Sequence, residues 1–274
     1  QLGQHNLSHL PTVVSMDQLV GFDGKILNRI SLLINYQDQE EICFLSTRIV
    51  HLLSSSKLGP NVATSLSSSK DANAIVFGVS ERLSINLPEV TTCDDYEYDI
   101  NNIPFWLAKN TMKNTYNYPS DFERRLNTSV RLALLNLLID NAQPSFSPTL
   151  VEFFLGYDLN AEPLTKLQDT DTNQASLVCL HSILDMLRQG LDNEDIGEDT
   201  MMDDTAKPSQ LMIDTHPILA EKCYELIYRL CAKKGISTST LRYLRNREDF
   251  FYKQFSSMSS RLEHNIEVES TSFP

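Results

Sequence analysis

From Thr215 to Phe251 the sequence describes one long amphipathic helix, a sharp stop and a second helix after it. Leu219, Cys223, Ile227 and Leu230 recur at helical spacing and form one apolar stripe. Thr215 is placed to cap this helix, and Pro217 suits a first turn, where its missing N–H costs nothing. Lys233 and Lys234 fall at the negative helix end, and Gly235 supplies a left-handed stop. Ser237 or Ser239 can cap the following helix, which carries Leu241, Tyr243 and Leu244. By itself this pattern reads as a helical scaffold piece.

The same pattern recurs along the chain. Ile26, Leu27, Ile30, Leu33 and Ile34 predict a helix over 23–36, with Asp23 as its cap. Ile42, Leu45, Ile49, Leu52 and Leu53 predict a second over 39–54, with Glu40 and Glu41 in the dipole-favoured first turn. A short third helix holds Val62 and Leu66, and a fourth begins at Asp71 and carries Ile75, Val79 and Leu83. Ser-Ser-Ser-Lys runs at 54–57 and 67–70 read as helix ends. Ser120 and Glu123 form a capping box for a helix to Asn141. Phe122, Leu126, Val130, Ala133, Leu134, Leu137 and Leu138 give that helix a wide apolar face, so both flanks should be buried. Another helix starts at Ser147-Pro148 and ends near Gly156. One over 173–189 presents Leu177, Leu180, Leu184 and Leu187 and stops at Gly190. Alternating apolar and polar runs are absent, so no strand is predicted. Successive amphipathic helices on short loops fit an irregular all-α solenoid of antiparallel, HEAT- or armadillo-like hairpins. Residues 1–118 read as hairpins with polar loops, 119–256 as a solenoid section and 257–274 as a polar tail. The chain opens at Gln1 without a methionine, which suggests a piece of something longer.

Charge narrows the partners. The net charge is −13 and the sequence pI about 4.8, the reverse of what counterion release on nucleic acid requires. Anionic membrane surfaces are disfavoured for the same reason. The one basic run, Arg242, Arg245 and Arg247 with Lys233 and Lys234, reads as a solvated face near helix ends. Within the acidic loop over 191–214, Asp192 to Asp204 holds seven carboxylates and is expected to be disordered. The five cysteines are an odd number without a C-x-x-C pair, which suits buried thiols in a reducing compartment. No apolar run approaches the ~20 residues of a bilayer span, so any membrane link is expected to be indirect.

Catalytic patterns are missing. Gly21 to Lys25 has the wrong spacing for a phosphate loop. Asp94, Asp95, Glu97 and Asp99 lack a histidine and read as an exposed loop. Cys179 and His181, two apart, face different ways on a helix, against a shared zinc. His181 and Asp185 are close enough to bond but have no placed nucleophile, and His216 reads as a first-turn surface residue. No catalytic, metal or cofactor residue is assigned. Tyr224 and Tyr228, like Phe250, Phe251 and Phe255, fit either of two roles. They pack on the next helix, or they line a groove for a partner peptide.

Several stretches go further than periodicity. Leu219-Ala220-Glu221, Cys223-Tyr224 through Leu230-Cys231, Thr240 to Arg245 and Asp249-Phe250-Phe251 resemble the giant inner-ring scaffold nucleoporins of the nuclear pore complex, of the fungal large α-solenoid type. Phe154 to Leu159 with Leu167-Gln168-Asp169, and Cys179 to Leu184, extend the resemblance in family order over Leu126 to Phe255. The acidic stretch departs from the family pattern and looks like a lineage-specific insertion. The resemblance implies a non-enzymatic scaffold at the nuclear envelope that supports protein and mRNA transport. Its implied partners are flexible linker nucleoporins, bound through short motifs, and neighbouring inner-ring scaffold proteins. A karyopherin-like receptor or vesicle tether, and a helical enzyme, are the rival readings.

Overall fold

The computed structural model describes residues 24–36, 39–56, 59–84, 119–143, 149–157, 179–188, 212–246 and 250–256. The acidic stretch, the Asp94–Asp99 loop, Asp23, Leu167 to Asp169, Leu177 and Gly190 lie outside these residues. The described elements are α1 (Gly24–Leu32, continued by a 3₁₀ turn Leu33–Asn35), α2 (Glu40–Ser55), α3 (Gly59–Ser67) and α4 (Ala72–Ser84). Then follow α5 (Pro119–Asn141), α6 (Leu150–Phe154), α7 (Cys179–Arg188), α8 (Met212–Thr215), α9 (Pro217–Ala232), α10 (Ser237–Asn246) and a helix over 250–256, α11. No strand occurs among the described residues.

α5 is the central helix. Val130 to Leu135 and Leu137 to Ile139 are all buried, so it is covered on every side, as its wide apolar face predicts. α2 packs along one flank of α5 and α9 along another, and α6 folds back against its end. α4 packs on α7, and α9 contacts α7, α8 and α10. One continuous apolar cluster runs from Leu27 in α1 to Phe250 in α11.

Helix starts and stops follow local chemistry. Gly156 and Gly235 have φ of 77° and 104°, which β-carbons disfavour, and each ends a helix. α5 begins at Pro119, one residue before the anticipated Ser120 cap. Ser237 lies inside α10 rather than ahead of it. α9 starts at Pro217 with His216 as its cap position, while Thr215 belongs to the preceding short helix.

The α2 face is the main correction. Its buried residues are Cys43, Ser46, Thr47, Val50, Leu53 and Ser54. Leu45, Ile49 and Leu52 instead point outward, with Leu52 67% exposed. Small polar residues are tolerated inside because their hydroxyls are satisfied within the helix or across it. Thr47 Oγ1 donates to Cys43 O at 2.8 Å, and Ser54 Oγ donates to His51 O and accepts from Asn141 Nδ2 at 2.9 Å. Their small volume lets α2 lie against α5. On α1, Ile26 and Leu33 are likewise exposed, and Leu27 and Ile34 form the buried edge.

Arginines fasten the α2–α4–α5 junction. Arg82 donates to Glu40 Oε1 and, at 2.6 Å, to the Tyr36 carbonyl. The wholly buried Arg131 of α5 donates to the Arg82 carbonyl at 3.4 Å. Burial, the largest influence, lowers the Arg131 pKa to about 10, with Glu40 opposing the shift.

Leu134→Ala should cost about 2–5 kcal/mol, as a fully buried leucine leaves a cavity. Leu52→Ala should change stability by less than about 0.5 kcal/mol. Urea melts of the two variants check the pair, and a reversed order would overturn the burial pattern.

Candidate functional site

The stretch that the periodicity singles out becomes α9, α10 and α11, and its two ends do different work. At the C-terminal end of α9, Lys233 is buried, 4% exposed, and is not a solvated cation. Its Nζ donates to Glu152 Oε1 at 2.9 Å, Asn141 O at 3.2 Å and Thr149 Oγ1 at 3.0 Å, so all three protons are used. The other oxygen of Glu152 accepts from Thr149 N–H and, at 2.8 Å, from Thr149 Oγ1–H. Thr149 and Glu152 thus form the capping box of α6, and Lys233 closes it. One turn earlier Arg229 donates to Ile139 O at 3.3 Å and holds Glu225 at 2.6 Å. Arg229 of α9 and Lys233 just past its end therefore serve carbonyls in the last turn of α5, where Ile139 O also accepts from Ala142 N–H. Thr149-x-x-Glu152 is a readable capping signature. Pairing it with Lys233, 81 residues after Glu152, was not readable.

At the N-terminal end of α9, His216 is buried, 3% exposed, and not a surface residue. Burial first, and Arg131 second, lower its pKa from 6.5 to about 4, so it is neutral in the folded chain. Along the helix Leu219, Cys223, Ile227 and Leu230 are buried as their spacing predicts. Burial raises the Cys223 thiol to about 12 and pushes Cys179 well above the thiol range.

The aromatic residues divide. Tyr224 is half-buried, and its hydroxyl donates to Gln254 Oε1 on α11 at 2.5 Å. Gln254 in turn donates to Leu187 O on α7 at 3.2 Å. Phe250 is buried and meets Phe251 edge-on. These residues take the packing role. Tyr228 and Tyr252, each 73% exposed, and Phe255, 65% exposed, do not. They leave aromatic rings in solvent on two helices that are joined through Tyr224 and Gln254.

His181 sits between Asp185 (Nε2 to Oδ2 3.4 Å) and the Tyr243 hydroxyl (Nδ1 to Oη 3.2 Å). Burial, with Asp185 adding to it, raises Tyr243 to about 12. Ser182 is buried against Ser80 at 2.9 Å, and Cys179 faces the core. The geometry joins α7 to α10 and brings neither residue to His181 as a nucleophile. Among the described residues no group of three or more His, Cys, Asp or Glu could hold a metal. No described helix is long and apolar enough to cross a membrane.

Residues 3–273 match the family model described as nuclear pore complex scaffold, nucleoporins 186/192/205. The chain belongs to this scaffold nucleoporin family. It is also 32% identical over 155 residues to the human nuclear pore complex protein Nup205, covering 54% of this chain and 7% of that relative. The chain therefore spans a small fraction of the length of that relative. The family assignment agrees with the resemblance carried by the segments on α7, α9, α10 and α11. It places the chain among nuclear pore components at the nuclear envelope.

Breaking the buried pair from one side should be costly. Glu152→Gln or Lys233→Met should each lower stability by about 3–5 kcal/mol, whereas the joint Glu152→Leu, Lys233→Met exchange should recover most of the loss. Denaturant melts of the three variants decide this, and singles no worse than the double variant would contradict it.

His216 sets a pH dependence. Its folded pKa lies below its unfolded value, so the unfolded chain binds the extra proton as pH falls from 6.5 to about 4. Stability should fall over that window with a slope of at most ~1.4 kcal/mol per pH unit from this group. In His216→Gln that component should vanish from urea midpoints measured across pH 4–7. An unchanged slope would refute the assignment.

Proposed function

We propose that this chain is a section of an irregular α-solenoid in the inner ring of the nuclear pore, built from antiparallel HEAT- or armadillo-like hairpins. It acts without enzymatic chemistry. It docks short motifs of flexible linker nucleoporins and neighbouring scaffold proteins, and so supports protein and mRNA transport across the envelope. Family membership over nearly the whole chain supports the architectural part of this reading.

The observation that carries the docking part is the exposure of Tyr228, Tyr252 and Phe255 beside a fully engaged Tyr224 and Gln254. Tyrosine and phenylalanine give large contact area at low entropic cost, and such rings anchor peptide segments. A partner helix laid along α9 and α11 would bury them. Each such contact is modest, and tethering several motifs on one linker multiplies their strength.

Calorimetric titration with peptides tiled across the inner ring's linker nucleoporins tests this directly. One or two peptides should bind saturably, and Tyr228→Ala or Phe255→Ala should weaken them about tenfold or more. Binding that ignores both substitutions, or no binding by a folded chain, would contradict the docking surface.

A further inference from the structure

Helix α11 is held differently from the helices it touches. Its seven residues are fewer than an isolated helix needs to persist in water, so its seat in the fold maintains it. That seat is a single edge. Phe250, 4% exposed, and Gln254, 6% exposed, lie one turn apart and face inward, with Phe251 half-buried beside them. Tyr252, Phe255 and Ser256 face solvent. The helices that Gln254 reaches, α7 and α9, are tied down by bonds that do not pass through α11. Ser182 and His181 of α7 bond to Ser80 on α4 and Tyr243 on α10, and Arg229 of α9 and Lys233 past its end bond to α5.

The chemistry of the seat is that of a peptide site. Tyr224 Oη on α9 donates to Gln254 Oε1 at 2.5 Å, and the Leu187 carbonyl, in the last turn of α7, accepts from Gln254 Nε2 at 3.2 Å. One donor and one acceptor from two helices thus grip both ends of a primary carboxamide. A carboxylate in its place would turn an oxygen toward the Leu187 carbonyl, and an aliphatic chain would leave both partners unsatisfied. Phe250, one turn earlier, supplies the aromatic anchor.

We infer that the cleft between α7 and α9 is a recognition site for a short helical segment bearing an aromatic residue and, four residues on, a glutamine. Helix α11 is its resident ligand in cis, a strap that a partner segment of the same chemistry displaces. Tethering gives α11 a high effective concentration, so a segment in trans enters only when α11 opens. Opening carries Tyr252 and Phe255 away with α11, so a partner in the cleft and a partner on the outer rings exclude each other. The cleft and its ligand stand independently of the docking reading, because the sequence of α11 itself serves as the probe.

Two measurements on the full chain test this site. Native-state hydrogen exchange should show the 254–256 amides opening at least about a hundredfold more readily than the 226–230 amides of α9. A labelled peptide of residues 248–257 should bind the Gln254→Ala chain, in which α11 is loosened, at least about tenfold more tightly than it binds the parent. The Gln254→Glu form of the peptide should bind that chain at least about tenfold more weakly. Unchanged amide protection in α5 and α9 certifies that the Gln254→Ala chain is folded. Exchange of 254–256 in step with α9, no peptide binding by the folded variant, or equal binding of the two peptides would overturn the inference.

Discussion

The pairing of Glu152 with Lys233 fixes how three helix ends meet. One carboxylate oxygen caps α6, the other neutralises Lys233, and the ammonium reaches back to the last carbonyl of α5. Arg229 repeats the gesture one turn away at Ile139. A buried charge is tolerated here because every donor of Lys233 has an acceptor. The pair need not add stability beyond an apolar substitute. What it supplies is a fixed point: the Lys233 contact to Asn141 marks the height at which α9 lies against α5.

The rest of the packing follows from that fixed point. With α9 fixed on α5, the stripe from Leu219 to Leu230 closes one flank of the central helix, and α10 and α11 follow it through Gly235. Another flank is closed by α2, whose small inner residues admit a close approach and whose end is bound through Ser54 to Asn141 and through His51 to Asp140. Both flanking helices are thus anchored at the C-terminal turn of α5. The scaffold role of the family sits well with such a design, in which stiffness comes from helix ends locked by polar contacts and from continuous apolar faces between them.

The all-helical class, the buried stripe of α9, the two-sided burial of α5 and the stops at Gly156 and Gly235 were legible in the sequence. Each depends on contacts near in sequence or on backbone preferences that a few residues determine. The α2 face was not legible, because counting leucines and isoleucines selects Leu45, Ile49 and Leu52 while the packing selects Cys43, Thr47 and Val50. Hydrophobicity states which residues gain from burial, and the neighbour's shape decides which side is offered. Lys233 and His216 failed for a related reason. A lysine at a helix end and a histidine before a proline are ordinarily solvated, and only partners 81 to 92 residues away for Lys233 and the enclosing core for His216 make them interior. Of the aromatic set, the sequence left two roles open, and the fold assigns packing to Tyr224 and Phe250 and exposure to Tyr228 and Phe255.

The central physical claim is that α5, α6 and α9 open and close as one unit held at their ends. Native-state hydrogen exchange on the full chain, with Lys233→Met beside the parent, tests it most directly. Amides of Leu137–Ile139 and Leu226–Leu230 should share one opening free energy in the parent and fall together in the variant. If the α9 amides lose protection while those of α5 keep theirs, the three elements are not a single unit and the account fails.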